Sequence, residues 1–136
     1  MVRNLTLLVA LCALPTGCAS APPELPALTN ICDLQFVPGA VVDVAGVYIS
    51  DKVHISALFS PDCREKQLEA YFSDAVENSA FGRRKDMQSV LVVGPGLVEF
   101  DMKVRGRLFL SDIESLPSIE LLKVYEAVKI NPDGSQ

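Results

Sequence analysis

The sequence predicts an α+β fold that is mainly β. The stretch from Leu97 to Leu110 alternates apolar and charged residues, which is typical of a strand with one buried face. Residues 40–50 are rich in β-branched side chains and carry one charge, which also favours a strand. Residues 62–78 place apolar side chains at helical spacing. The 136 residues are enough for one small domain.

The stretch Val41–Cys63 is predicted to be a β-hairpin that leads to a cysteine and the start of a helix. Residues 41–50 form the first strand, Asp51-Lys52 the turn, and VHISALF the second strand. Gly46 in the first strand indicates a bulge or a bend. Asp43 is the one acid of this strand, and we expect it at an exposed edge position rather than as a buried functional acid.

A capped amphipathic helix is predicted over residues 62–78. Ser60 can cap it with Pro61 in the first helical position, or Asp62 can cap it with Glu65 closing a capping box. Tyr71 and Phe72 fall on the apolar face, so we expect both in the core.

The second half of the chain is predicted to be three strands. Ser89–Val93 is a short apolar run, and Gly94-Pro95-Gly96 is a turn signal. The strand after it has a bend at Gly106 and two distinct faces. Its inward side chains are Val98, Phe100, Met102, Val104, Leu108 and Leu110, and its outward ones are Glu99, Asp101, Lys103, Arg105 and Arg107. The final segment, residues 118–130, fits either a helix or a strand, and its Val and Ile content, its length and the need to close a sheet favour a strand.

Long strands with central glycines and a single helix suit a small barrel. The order strand, strand, helix, short strand, long strand, strand predicts a partly open OB-like barrel of about five strands with one amphipathic helix.

The first residues resemble an export signal that ends at a lipid-attachment cysteine. Arg3 precedes the apolar run LTLLVALCAL, which is too short to span a bilayer. The sequence LPTGC resembles the lipobox of bacterial lipoproteins, although Pro15 stands where that motif prefers an aliphatic residue. Residues 1–17 are therefore predicted to be a lipoprotein signal peptide, and Cys18 the acylated residue. Signal-peptidase cleavage near Ala19 or an uncleaved anchor are the alternatives.

Three further segments follow from this prediction. Residues 18–29 contain the lipid-attachment cysteine and a proline-rich linker, residues 30–131 the OB-like domain, and residues 132–136 a disordered tail. The residue after Cys18, which would be the second residue of the mature protein, is not Asp. By resemblance to lipoprotein sorting, this favours the outer membrane, facing the periplasm. A periplasmic or secreted soluble protein is the alternative.

Two cysteines, Cys32 and Cys63, remain in the predicted domain. An even pair in an oxidising compartment predicts a disulfide, which would contribute roughly 3 kcal/mol. The alternatives are a metal site from Cys32, Cys63 and His54, with Asp33 or Asp62, and a reactive thiol at Cys63. The spacing is unlike that of zinc sites, and no Cys-x-x-Cys motif is present.

The charge of the chain excludes one class of partner. Export would remove only Arg3 of the 12 basic residues, so that 11 remain against 17 acidic residues. Nucleic acids and anionic lipids require clustered cations, and the longest basic run is Arg83-Arg84-Lys85. We expect no nucleic-acid partner.

The domain resembles small bacterial envelope lipoproteins with an OB-like β-domain. The likeness covers roughly residues 30–110 and rests on an early cysteine, a V-x-V-x-G strand, an S-D…H turn and a P-x-C motif. The matching residues are Cys32, Val42, Val44, Gly46, Ser50-Asp51, His54 and Pro61-Asp62-Cys63. The resemblance implies an envelope location and OB-like structure, and it implies no activity.

These observations predict a non-enzymatic binding or structural module, anchored to the membrane by lipid and monomeric, with no cofactor and with an envelope protein as its possible partner. The sequence contains one His, no Trp and no signature of a catalytic site. The alternatives are a thiol- or metal-dependent envelope enzyme that uses Cys63 and His54, and a secreted soluble ligand binder. We expect the stretch Val41–Cys63 to be a frame, with the binding surface elsewhere.

Overall fold

A computed structural model describes residues 21, 23–51, 54–84 and 97–130. In these ranges the chain is mainly β, as predicted. Its strands are β1 (Thr29–Asn30), β2 (Val41–Ser50), β3 (Ser56–Phe59), β4 (Leu68–Phe72), β5 (Val98–Leu110) and β6 (Pro117–Lys129). The helical elements are α1 (Asp74–Glu77) and two turns of 3-10 helix, Ile31–Asp33 and Arg64–Lys66.

The six strands form one sheet that curls partly into a ring. β1 pairs in parallel with β2, and the order continues through β3, β4 and β6 to β5. β4 and β6 are parallel, whereas the β2–β3, β3–β4 and β5–β6 pairs are antiparallel. An additional antiparallel pairing joins β5 to β2 along the whole of β2, from Val41↔Arg107 to Ser50↔Val98.

The long strand β5 confirms the predicted alternation of faces, and β6 also contributes to the core. Val98, Phe100, Met102, Val104 and Leu108 of β5 are buried, as predicted, and so are Ile119 and Leu121 of β6. Leu110 was expected on the same face, but it ends β5 and is 46% exposed. Buried side chains from both strands join Val44, Tyr48, Leu58, Leu68, Ala70 and Val76 in one core.

Gly106 allows β5 and β6 to pack closely. A Cβ atom at this position would lie 2.4 Å from Cγ1 and 2.5 Å from Cδ1 of the fully buried Ile119. The register between β5 and β6 also shifts between Arg105 and Gly106. The bend predicted at this glycine therefore coincides with an irregularity in the pairing.

The predicted amphipathic helix over residues 62–78 is wrong. The amide of Cys63 donates to the Ser60 carbonyl at 3.1 Å in a turn, and residues 68–72 form β4. Buried Leu68 and Ala70 have the two-residue period of a strand, and Phe72 packs against the core on the same side. The apolar residues of this segment fit both the helical period and the two-residue period of a strand. The segment is a strand because it fills the position between β3 and β6 in the sheet. The helix is limited to the single turn Asp74–Glu77.

The predicted disulfide between Cys32 and Cys63 is confirmed. Their Cα atoms are 5.6 Å apart and the sequence separation is 31 residues. The bond links the 3-10 turn after β1 to the connection between β3 and β4. Asn30 caps that turn, because its Oδ1 accepts from the Cys32 amide at 2.9 Å. The Lys66 ammonium donates to the Cys32 carbonyl, a second contact between the same two segments.

Several predictions concern residues outside the described ranges. These are the signal peptide (residues 1–17), the acylated Cys18, the strand Ser89–Val93 and the tail (residues 132–136). No helix in the described ranges is long and apolar enough to cross a membrane.

Candidate functional site

The candidate site is a cleft that forms where β3 and β4 separate. These strands are paired only at Ala57↔Glu69 and Leu58↔Leu68, and they diverge towards the start of β3 and the end of β4. The opening between them has a volume of about 350 Å³. We call it the β3–β4 cleft, and its lining residues are Tyr48, Ser50, His54, Ile55, Ser56, Glu69, Ala70, Tyr71, Phe72 and Glu77.

Three hydroxyl groups form the floor of the β3–β4 cleft. Tyr48 and Ser50 are each 2% exposed, and Ser56 is half-buried. The Ser56 hydroxyl lies 3.0 Å from that of Ser50 and 3.2 Å from that of Tyr48. Ser50 and Ser56 are directly opposite in the hairpin register, so both lie on the inner face of the sheet. A polar group is therefore present at the open end of an otherwise apolar core.

Aromatic rings form one wall of the cleft. The Phe72 ring lies 5.6 Å from that of Tyr48 and 5.7 Å from that of Phe81, measured between centroids. Phe72 is half-buried, so the prediction that it belongs to the core is confirmed in part. These ring contacts fix the wall in place, because each ring is packed on at least two others.

Tyr71 lies at the rim of the cleft, and the prediction that it is buried is wrong. As a strand residue between Ala70 and Phe72 it points outwards, and it is 40% exposed. Its hydroxyl donates to the Glu69 carboxylate, which raises the pKa of Tyr71, and desolvation and the negative charge of Glu69 act in the same direction. The outer rim therefore pairs an aromatic ring with a carboxylate.

Glu77, the last residue of α1, carries a second carboxylate at the rim of the cleft. The Ser73 hydroxyl caps α1 by accepting from the Val76 amide at 3.4 Å, and Val76 is buried in the core. These contacts position the exposed Glu77 at the cleft. With Glu69, the rim thus carries two carboxylates.

The β2–β3 turn forms the opposite side of the cleft. Asp51 Oδ1 accepts from the amides of His54, at 2.6 Å, and Ile55, at 2.8 Å. These bonds hold both residues in the turn, so β3 begins at Ser56 and is shorter than the predicted strand VHISALF. The His54 ring is 80% exposed, with Nδ1 3.4 Å from Asp51 Oδ2. His54 is therefore an exposed residue of the hairpin turn.

A second, smaller groove extends the cleft towards the β5–β6 connection. It has a volume of about 220 Å³ and reaches Gln67, Leu116 and Pro117. Residues of the β3–β4 cleft line this groove as well, so the two openings adjoin. The shared residues are His54, Ile55, Ser56 and Glu69.

The residues considered for metal or thiol chemistry are not assembled into such a site. The sulfur of Cys63 is bonded to Cys32, so a thiolate would require reduction of the disulfide. In the part of the chain that the structure describes, no group of three or more His, Cys, Asp or Glu side chains is arranged to hold a metal ion. His54 instead contacts Asp51 at the rim of the cleft.

Asp43 is part of a separate polar cluster on the outer face of β2, β5 and β6. Its carboxylate accepts two bonds from the Arg105 guanidinium, each 2.9 Å, and one from the Tyr125 hydroxyl at 2.7 Å. The Arg105 bonds lower the pKa of Asp43, desolvation opposes them, and the Tyr125 bond again lowers it. With 18% of its side chain exposed, Asp43 is less accessible than the expected edge position. These hydrogen-bond partners satisfy the Asp43 carboxylate. The cluster is therefore best described as a contact between neighbouring strands of the sheet.

The site could be anticipated only in part from the sequence. His54 was singled out, and the stretch Val41–Cys63 does supply one side of the cleft together with the frame. Glu69 and Tyr71 were missed because the segment around them was assigned to a helix. The pair of Ser50 and Ser56 was missed as well, because the predicted turn at Asp51-Lys52 places Ser50 opposite residue 53, whereas the observed register places it opposite Ser56.

No protein-family model, curated protein or solved structure shows a significant match to this chain.

Proposed function

We propose that this protein is a lipid-anchored component of the bacterial envelope whose OB-like domain binds a partner or ligand, without catalysis, in the β3–β4 cleft. The single observation that carries the binding role is the separation of β3 and β4 over a buried hydroxyl cluster. A concave opening with a few polar groups among aromatic side chains has the composition of a ligand site.

The connectivity of the sheet supports an OB-like fold. From β2 onwards the strands pair in the order β2-β3-β4-β6-β5, and β5 returns to β2. The helix α1 lies between the third and fourth strands of this series. The OB-fold is a five-stranded, partly open Greek-key barrel whose ligands bind over its second and third strands. In the proposed OB-like domain those strands correspond to β3 and β4.

The envelope location is supported by the N-terminal sequence and by the disulfide. The apolar run before LPTGC and the proline-rich segment after it suit a lipid anchor on Cys18 with a spacer. The Cys32–Cys63 bond suits the oxidising periplasm, because disulfides are rare in reducing compartments. The anchor makes a definite prediction: Cys18→Ser should abolish labelling with palmitate and release the protein from the membrane fraction.

Photo-crosslinking in cells tests the binding role. A benzoylphenylalanine side chain at Ile55, which is 53% exposed in the cleft, should give a discrete adduct. The matched control is the same side chain at Val128, which is 45% exposed on β6 and does not line the cleft. Equal labelling from both positions, or none from position 55, would refute the assignment of the cleft as the binding site.

A further inference from the structure

We propose that the β3–β4 cleft takes an extended peptide segment of an envelope protein, which adds as a strand to the end of β4 and carries basic side chains at alternate positions. This inference rests on the proposed binding role and names its ligand class. Strand addition follows from the backbone of β4, and the preference for basic side chains follows from the carboxylates of Glu69 and Glu77.

The end of β4 has a strand edge that faces the cleft. On one side, residues 69–72 pair with β6, from Glu69↔Ser118 to Phe72↔Leu121. On the other side, pairing with β3 stops at Glu69. No other described strand pairs with Ala70, Tyr71 or Phe72 on that side.

The direction of the backbone groups follows from one hydrogen bond. The Ser73 amide donates to the Leu121 carbonyl of β6 at 3.1 Å. Successive residues of an extended strand direct their N–H and C=O groups to opposite sides. Tyr71 therefore shares the side of Ser73, towards β6, and the N–H and C=O of Phe72 face the cleft. A peptide strand can pair with such groups, as in other cases of strand addition to a sheet edge.

The two adjoining openings form a depression beside the free edge of β4, where Ala70 to Phe72 are open to pairing with an added strand. The depression reaches Glu77, the last residue of α1, on one side, and Leu116 and Pro117, at the start of β6, on the other. A compact ligand would occupy one part of this depression, whereas an extended peptide would occupy its length. Side chains on one face of the peptide would meet the hydroxyls of Ser50 and Ser56, and those on the other face would lie beside Glu69 and Tyr71.

The charges of the rim determine which side chains fit. Among the described residues that line the cleft, the two carboxylates, Glu69 and Glu77, are accompanied by one basic residue, His54. A Lys or Arg beside Glu69 would form an ion pair and could also contact the face of the Tyr71 ring. The acidic rim disfavours nucleic acid, which is the reason for choosing a peptide over an oligonucleotide.

Selection from a random heptapeptide library displayed on phage tests the proposal, with the purified full-length, disulfide-bonded protein in detergent as the target. Enriched peptides should carry Lys or Arg at alternate positions. N-methylation of a synthetic copy should weaken binding about tenfold at alternate amides, those that face β4, and change it less than about twofold at the amides between them. A side-chain contact without strand addition would not give this alternation.

Charge variants provide the matched control. Glu69→Gln should weaken binding of the selected peptides about threefold to tenfold at low salt, whereas Glu114→Gln, in the β5–β6 connection, should leave it unchanged. Glu69→Lys should prefer a copy of the peptide whose basic residues are replaced by Glu. This reversal distinguishes recognition of charge from a loss of folding.

Two results would overturn the proposal. One is the failure of any peptide to enrich, and the other is a loss of affinity that does not alternate along the N-methylated series. If the crosslinked adduct from position 55 still forms in either case, the proposed binding role of the cleft is kept and only the proposal of a peptide ligand is refuted. Binding of chitotetraose in place of peptide would likewise reassign the cleft to a carbohydrate.

Discussion

Removing the Cys32–Cys63 disulfide should lower the stability of the domain by an amount that follows from the loop it closes. In the chain-entropy treatment, a separation of 31 residues corresponds to about 3.7 kcal/mol at 25 °C. For a folded part of about 100 residues, the unfolding entropy near the midpoint is about 0.21 kcal/mol/K, so the melting temperature should fall by about 18 °C.

The assay is thermal and urea unfolding of the Cys32→Ala/Cys63→Ala double variant, followed by circular dichroism. Because Cys63 is 7% exposed, its truncation also removes buried atoms, and the reduced wild-type protein is the control for that effect. Both forms should unfold with a larger urea m-value than the oxidised protein, since the unfolded chain without the bond exposes more surface.

The reasoning would be refuted if the free energy of unfolding fell by less than about 1 kcal/mol in a variant that keeps the native circular dichroism spectrum. Such a result would mean that the unfolded chain is already restricted around residues 32–63, or that the bond strains the folded state. An unchanged m-value would favour the first explanation, because a chain that is already restricted exposes no additional surface when the bond is removed.

Two further substitutions test the sheet. Gly106→Ala should destabilise the protein by about 1–3 kcal/mol, measured by urea unfolding, because the added Cβ would overlap the buried Ile119 side chain. Adding Ile119→Val to the same protein should recover part of this loss of stability. A Gly106→Ala protein as stable as the wild type would contradict the close packing. Asp43→Asn should change the pH dependence of stability. Since the folded-state pKa of Asp43 is lowered, its contribution is present above about pH 4 and is lost as the pH falls through the folded value. The difference between wild type and variant in the urea midpoint should therefore be constant near neutrality and vanish in acid, whereas a difference that persists in acid would contradict the assignment.

The long strand β5 could be predicted from the sequence because its pattern admits one interpretation. In β5, charged residues alternate with apolar ones from Val98 to Leu108, and no helical period fits that series. The disulfide was also predictable, since two domain cysteines leave one intramolecular pairing. In these cases local pattern and covalent chemistry are sufficient.

The segment that follows the hairpin, which forms β4, could not be predicted in the same way. Leu68, Tyr71 and Phe72 fit one face of a helix, and Leu68, Ala70 and Phe72 equally fit one face of a strand. The choice is made by distant residues of β6, through the parallel pairing from Ser118 to Leu121. The cleft depends on that same long-range pairing, because only a strand at residues 68–72 can separate from β3.

The position of the disulfide also determines how the domain responds to a mechanical load from its N-terminal side. A pull on the linker first meets β1, which is held to β2 at only Thr29↔Val44 and Asn30↔Ala45. Once β1 detaches, the covalent bond carries the load from Cys32 directly to Cys63, so β2 and β3 cannot be drawn out of the sheet from that end. About 110 Å of chain is thereby withheld from extension, given the separation of 31 residues and the reach of an extended chain. Tension applied from the N-terminal side would reach the connection before β4, and the hairpin would bear no load until the bond is reduced.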